Sequence, residues 1–511
     1  MKKNKNNIYI KKIYNYYDNF IDIKSKKFLH HDYFHSHVTF SRNHLVGTEI
    51  LIDLIENKIP KKTIFHFIKK TFIFYFKNIL NFSLWLVYFI FSKLLYKKKR
   101  LSKLKKNKIF IQTFLNYNSF YGSNLIKDNY FKELYEYLEN KKQDYIIIAN
   151  IFEPLKNLKN RFKLLYNLNK SNKTVLTEFD CLGIIDLFRI LFFILLFPWI
   201  TLLYKSNLKL ITSSDKLFNH DYINSISHST FLTYVQFLFA RNLSKIIGDK
   251  KTKIISWNEN QLIHRNFIRG IKSKNITIYG CQYFLKYPSC RWMYFRDRDK
   301  KYNVIPDKIL VCGSEYIPEK SYLNYAIGSP FRYRNVFIDM SINKNSNLLL
   351  VLLPYEQKES INIIDFLKKS KLSKKYKIHV KIHPNFSKKI FFLKELMFES
   401  WTIVDKYSDI NKYKLIITKS SGSILEFIAQ GCSVIIIDDV NPLALNPLTS
   451  IIGKGVNYDY VNTPKQLSSK IDSIFNSRKK KPKEFLKNAN IFKSKFFSKI
   501  SQKTFKEDFD I

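Results

Sequence analysis

The chain has 511 residues, 46% hydrophobic and 16% aromatic, with 87 Lys and Arg against 41 Asp and Glu and a net charge of +46. That length exceeds one ordinary core and predicts two domains with additions, and the apolar content excludes global disorder. The charge first suggests nucleic acid, but the sequence has no RRM, OB or zinc-finger pattern, so the expected partner is anionic lipid or sugar and not nucleic acid.

Lys, Asn, Ile, Phe and Tyr are abundant, as an AT-rich genome encodes by default. The five cysteines (Cys181, Cys281, Cys290, Cys312 and Cys432) are scattered without a CxxC pair, which predicts a reducing compartment and no disulfide framework. The N-terminus is basic but lacks the apolar stretch and cleavage site of a signal peptide, so a cytoplasmic location is expected.

Residues 1–104 are lysine-rich and aromatic. They hold His30, His31, His35 and His37 in HHDYFHSH, with His44 beyond. A metal site and a polar loop are both open readings, and the loop needs fewer assumptions. The apolar run 79–95, ILNFSLWLVYFIFSKLL, has lysines on both sides; the run 190–203, ILFFILLFPWITLL, has Pro198 at its centre. Both are shorter than the roughly 20 residues a span requires, and basic flanks at both ends predict helices lying in a bilayer interface. A true span stays open for the first, and a buried core helix for the second.

From Lys108 onward, apolar runs of strand length alternate with amphipathic stretches. KIFIQTF, DYIIIANIF, KTVLTEF and TKIISWNEN form one series; NLLLVL, YKIHVKIHPN, YKLIITKSS and CSVIIID form another. Continuous apolar strands joined by crossover helices imply parallel sheets covered on both faces. The predicted fold class is therefore α/β, two doubly wound Rossmann-like domains facing a cleft, over 105–325 and 326–480, with a basic tail at 481–511.

Ligands of such sheets bind beyond the carboxyl ends of the strands. In VKIHPNF the proline stops the strand just after His383, at a position where an imidazole can donate to a phosphate or, if cationic, protonate a leaving one. In TKSSGSILEFIAQG, Ser420, Ser421 and Ser423 bring hydroxyls to a strand-to-helix turn and Gly422 permits close approach. Glu426 lies one turn into the helix, and Gly431 fits the residue that ends it. With only 12 glycines in the chain, two of them here mark the turn as specialised. A serine-capped helix with a solvent-facing glutamate is the plainer alternative.

Together these motifs resemble the HP and serine-rich motifs of bacterial GT-B glycosyltransferases that build surface polysaccharides, including sialyltransferase-like and Kdo-transferase-like enzymes. The resemblance covers about 250–475. It implies a GT-B fold, His383, Ser420 and Ser421 at the phosphate of a CMP-activated donor, and Glu426 near the ribose. The stretch ISWNENQLIHRNFIRGIKSKNITIYGCQYF is similar to a segment of the same class, which implies substrate contacts for Asn260, Arg265 or Arg269, and Gln282. Tyr283 stands where that class has histidine. Glu259, at a strand end, is the candidate base for an acceptor hydroxyl. No DxD-like pair sits in a metal-binding loop, since Asp438-Asp439 follows a strand and RDRD at 296–299 reads as a solvated charge run. Metal-independent transfer of a sugar from a nucleotide donor to a glycan or lipid-linked acceptor is the expected activity, with no cofactor. A polyol-phosphate transferase, a nucleotide-sugar epimerase and a non-catalytic glycan-binding protein are the alternatives.

Overall fold

The computed structural model of the chain describes residues 32–36, 64–95, 104, 108–120, 126–128, 130–206, 222–287, 293–338, 347–354, 357–372, 375–383, 397, 400–404, 413–419, 421–438, 447–448 and 452–511. His30, His31, His37, His44, Cys290, Ser420 and Asp439 lie outside them.

Helix α1 (Ile64–Leu95) precedes the first sheet. It starts well before the apolar run at 79–95, because Lys69, Lys70 and Lys77 interrupt the hydrophobicity without disturbing the helical repeat of buried Phe67, Thr71, Phe74, Asn78, Phe82 and Trp85. Then follow β1 (Ile109–Leu115), α2 (Lys132–Asn140), β2 (Tyr145–Ile151), α3 (Leu158–Lys170) and β3 (Val175–Leu176). Next come α4 (Ile184–Ser206), α5 (Phe231–Ile247), β4 (Thr252–Trp257), α6 (Leu262–Ile271), β5 (Ile276–Gln282), β6 (Lys308–Val311) and β7 (Tyr325–Ile327). These seven strands form one parallel sheet in the order β3-β2-β1-β4-β5-β6-β7. Strands such as IFIQTFL and YIIIANI are apolar on both faces because helices cover both.

The second sheet comprises β8 (Leu348–Leu352), β9 (Lys377–Lys381), β10 (Trp401–Ile403), β11 (Leu415–Thr418), β12 (Val434–Ile437) and β13 (Tyr458–Val461). Helix α7 (Gln357–Ser370) joins β8 to β9, and α8 (Ser423–Ala429) joins β11 to β12. All pairs are parallel, in the order β10-β9-β8-β11-β12-β13. The fold class is α/β, two doubly wound sheets. Strand order reverses between β1 and β4 in one and between β8 and β11 in the other, which fixes two crevices at carboxyl edges.

The chain closes with α9 (Leu467–Lys480), α10 (Pro482–Phe496) and α11 (Gln502–Phe509). The sequence predicts a basic tail here; α10 is a helix that also buries Phe485, Ala489, Phe492 and Phe496, and α11 returns to the first sheet. There Phe505 meets Phe331 at 5.4 Å and Phe509 meets Tyr279 at 5.8 Å between ring centroids. The Ser329 amide donates to Asp508 Oδ2 at 2.8 Å, and Lys308 Nζ donates to the Glu507 and Asp508 carbonyls at 2.8 and 3.0 Å.

Two charged stretches differ from their sequence reading. RDRD is not a solvated run: Asp299 is buried and accepts from Arg265 Nη1 at 3.0 Å and Arg296 Nε at 3.1 Å. His35 is buried too, its Nε2 lying 2.8 Å from Arg269 Nη1, while Arg269 Nη2 donates to Asp32 at 2.8 Å. In both cases a lone run of charges finds opposite partners far away in sequence.

Candidate active site

Both switch points carry a motif singled out in the sequence. Asn258, Glu259 and Asn260 follow β4, and the Ser421–Ser423 turn follows β11. His383 follows β9, which β8 separates from β11, so strand spacing puts the two tips about 10 Å apart on one edge.

Glu259 is half-buried and held on both oxygens: Trp257 Nε1 donates to Oε1 at 3.0 Å and Gln261 Nε2 to Oε2 at 2.7 Å. A carboxylate has about four acceptor positions, so this clamp fixes the rotamer and leaves capacity for a substrate hydroxyl. Asn260 adopts the left-handed region (φ 55°), which asparagine tolerates, and its amide donates to Asn258 Oδ1 at 2.8 Å. Its side chain accepts from Arg265 at 3.3 Å and donates to the Tyr294 carbonyl at 3.2 Å. Arg265 and Arg269 therefore spend their guanidinium groups on Asn260 with Asp299, and on Asp32 with His35.

Arg332, which sequence reasoning passed over, is electrostatically coupled to groups on both edges. It stands in the 3-10 turn Phe331–Phe337, after the last strand of the first sheet, and that turn packs on α8. Tyr333, then Glu426, Tyr130 and Glu259 hold its pKa above the ordinary arginine value. Arg332 also helps depress His383, whose pKa falls below the usual histidine value through burial first, then Lys381 and Arg332. One cation thus shares its field with Glu259 from the first sheet and with Glu426 and His383 from the second. The only sequence signal was its position in the linker GSPFRYR.

Glu426 has its pKa raised by burial, against the lowering effects of Arg332 and a Ser423 hydrogen bond. Ser421 Oγ accepts from the Ser423 amide at 3.3 Å in the turn that leads into the seven-residue helix α8, whose N-cap is Gly422. The Gly431 amide donates to Ile428 O at 2.9 Å and the Cys432 amide to Phe427 O at 2.8 Å, with Gly431 at φ 76°, a Schellman termination. Gly422 faces the first domain: a Cβ there would stand 3.3 Å from Tyr287 Oη and 3.6 Å from Leu285 Cδ1.

Behind that loop lies a second group that sequence reasoning missed. Lys286 is buried, donates to Gln282 Oε1 at 2.6 Å, and points among the rings of Tyr294, Tyr316 and Tyr325 at 4.8, 5.9 and 5.7 Å. Burial pushes its pKa down to about 7. Gln282 is fully buried and also donates to the Met293 carbonyl at 2.9 Å, so it anchors the loop. Tyr283 is buried against Phe331, with ring centroids 5.5 Å apart. Among the described residues no three His, Cys, Asp or Glu side chains gather as a metal site.

No family model matches the sequence, and neither does any curated protein. Solved structures similar to the chain include MnaA from S. aureus in a co-structure with UDP, at 9% identity and a TM-score of 0.40 over 78% of this chain and 94% of that one. MurG from Acinetobacter baumannii aligns at 9% identity and a TM-score of 0.40 over 79% and 99% of the two chains. The wall teichoic acid polymerase TagF, soaked with CDPG, aligns at 10% identity and a TM-score of 0.39 over 85% and 96%.

Proposed function

We propose that the protein is a glycosyltransferase that moves a sugar from a nucleotide-activated donor to a surface-glycan or lipid-linked acceptor. What supports this reading is the serine turn lying against the first domain, with Gly422 beside Tyr287 and Leu285 and the Arg332 turn packed on α8, while Arg332 is electrostatically coupled to Glu426 and Glu259. A site that must hold an anionic leaving group, a ribose and an acceptor hydroxyl calls for a fixed cation between carboxylates of different attachment. Glu259 accepts the acceptor hydroxyl proton as that oxygen bonds to the anomeric carbon. The bond from this carbon to the donor phosphate breaks, and its electrons leave with the nucleotide.

Arg332 supplies the compensating charge. His383, with its basicity depressed, serves as a neutral N–H donor to phosphate oxygen and not as an imidazolium acid. Ser421 and Ser423 line the same phosphate subsite, and Glu426 takes the ribose hydroxyls. Asn260, Arg265, Arg269 and Gln282 act by holding the loops that present Glu259 and Tyr287. The transfer needs no metal in this scheme, the preferred donor is a CMP-linked acidic sugar, and the enzyme works attached to the inner face of a membrane.

Thermal unfolding with CMP, CDP, UDP and GDP tests the proposal. One nucleotide should raise the melting point, since a ligand at 100 times its Kd adds about 2.7 kcal/mol. The gain should vanish in Arg332→Ala and shrink in His383→Ala. A panel in which no nucleotide stabilises the chain overturns the reading. Product analysis with the matching donor then separates sugar transfer from polyol-phosphate transfer and epimerisation.

A further inference from the structure

Helices α1 and α4 share an unusual surface. Each buries one face in the protein: Phe74 of α1 stacks on Phe197 of α4 at 5.2 Å, and Tyr75 Oη donates to the Leu195 carbonyl at 2.7 Å. The opposite face of α4 exposes Ile185, Phe188, Phe192, Leu195, Trp199 and Leu203, where a helix on a water-facing surface carries polar residues. The outer face of α1 exposes Phe65, Ile68, Phe72, Phe76, Ile79 and Leu80, with Phe72 at 69% and Phe65 at 77%. Two adjoining helices of 32 and 23 residues with apolar outer faces make a contiguous exposed hydrophobic surface of the kind that marks an interaction site.

We infer that α1 and α4 form a single docking face that lies flat in the interface of an anionic bilayer, without crossing it. Polar bonds weld the middle of α1 to the globular body. Asn78 donates to the Ser229 carbonyl at 3.3 Å and accepts from the Phe231 amide at 3.0 Å, and Tyr88 Oη donates to the Leu155 carbonyl at 2.6 Å. A spanning α1 would drag these segments of the first domain into hydrocarbon. Helix α4 is tied down the same way, with Asp186 accepting from Asn242 at 2.7 Å and from Arg189 at 3.0 Å.

Charge selects the lipid. Lys69, Lys70 and Lys77 lie along α1, the sequence continues after it into Lys97, Lys98, Lys99 and Arg100, and the chain carries +46 overall. Apolar residues flanked by lysines suit acyl chains beneath anionic headgroups, whereas a second copy of this chain would bring the same positive charge to the contact. The inference rests on the proposed use of a membrane-linked acceptor, for which Tyr88 and Leu155 place one end of α1 beside the carboxyl end of β2.

The test is co-sedimentation of the full chain with vesicles of phosphatidylglycerol and of phosphatidylcholine at low and high salt. The comparison variant carries Phe72→Ser, Phe76→Ser, Phe188→Ser and Phe192→Ser, all at exposed positions. Expected are at least tenfold stronger binding to phosphatidylglycerol, weakening with salt, and loss in the fourfold variant with an unchanged melting point. Three results overturn the inference: no binding to either vesicle, retention of the chain after alkaline extraction as for a spanning protein, or a dimer in solution that the fourfold variant abolishes. Thermal shift by nucleotides, read on both chains, keeps the matters apart, because vesicle binding without nucleotide binding sinks the transferase reading and leaves the docking face standing.

Discussion

Glu426 and Arg332 share one electrostatic environment although they belong to different sheets, the carboxylate on α8 and the guanidinium on the turn that follows β7. Neither α8 nor that turn makes a complete site alone. Arg332→Ala should lower kcat/KM about 100-fold, a loss of roughly 2.7 kcal/mol of transition-state stabilisation. Arg332→Lys should recover part of it, and Glu426→Gln should act mainly on KM if the ribose is its partner. Steady-state kinetics with the donor found by the nucleotide panel decide this; unchanged kinetics in Arg332→Ala would remove the residue from the site.

His264 gives the fold an acid limit. It is buried, neither ring nitrogen has a hydrogen-bond partner, and burial pushes its pKa down to about 3. The unfolded chain takes up its proton near pH 6.5 and the folded chain does not, so this contribution is complete above pH 6.5 and drains away as pH falls toward 3. The total is on the order of 5 kcal/mol at 1.36 kcal/mol per pH unit. Urea unfolding of His264→Leu should show a flatter stability profile between pH 6.5 and 4 than the wild type. His383 adds a smaller effect of the same sign.

Asp508 works in the opposite direction. Burial lifts its pKa to about 6, with the Ser329 hydrogen bonds restraining the rise. Protonation is thus favoured in the folded chain, and stability declines as pH climbs from about 4 through 6. Asp508→Asn keeps an acceptor for the Ser329 amide without the buried charge. It should be more stable than the wild type at pH 7.5 by about 2 kcal/mol and no more stable at pH 4.

Lys286 is the third buried group with a testable consequence. Lys286→Met preserves its stem and the ring contacts but leaves Gln282 Oε1 without its donor, a cost of about 1–3 kcal/mol. Because the same loop carries Leu285 and Tyr287 against Gly422, the variant should also bind nucleotide more weakly. Calorimetric titration at matched folded fraction measures that; unaltered affinity would confine Lys286 to a packing role.

The sheets were legible because parallel strands buried on both faces are written as unbroken apolar runs, as in YIIIANI and SVIII. Short or edge strands such as WTI and YAI carry too little pattern to be read. His383 and the serine turn were visible because each ends an apolar run with residues that suit a ligand. Arg332 was not, since its meaning comes from a turn between two sheets and from groups 73 residues before it and 94 after it. Asp299 and Arg269 were misjudged or half-read for the same reason: a local run of charges says nothing of partners more than 30 and 230 positions away.

Helix α11 seals the first sheet but is synthesised after the second. On the ribosome the earlier strands emerge without Phe505, Phe509 and Asp508, and Ser329 and Lys308 await their acceptors until 179 and 199 further residues have been made. Such long-range closure slows maturation and makes the two halves finish together. A nascent chain stalled before residue 500 would therefore present an unsealed first sheet to chaperones, however well its own strands had paired.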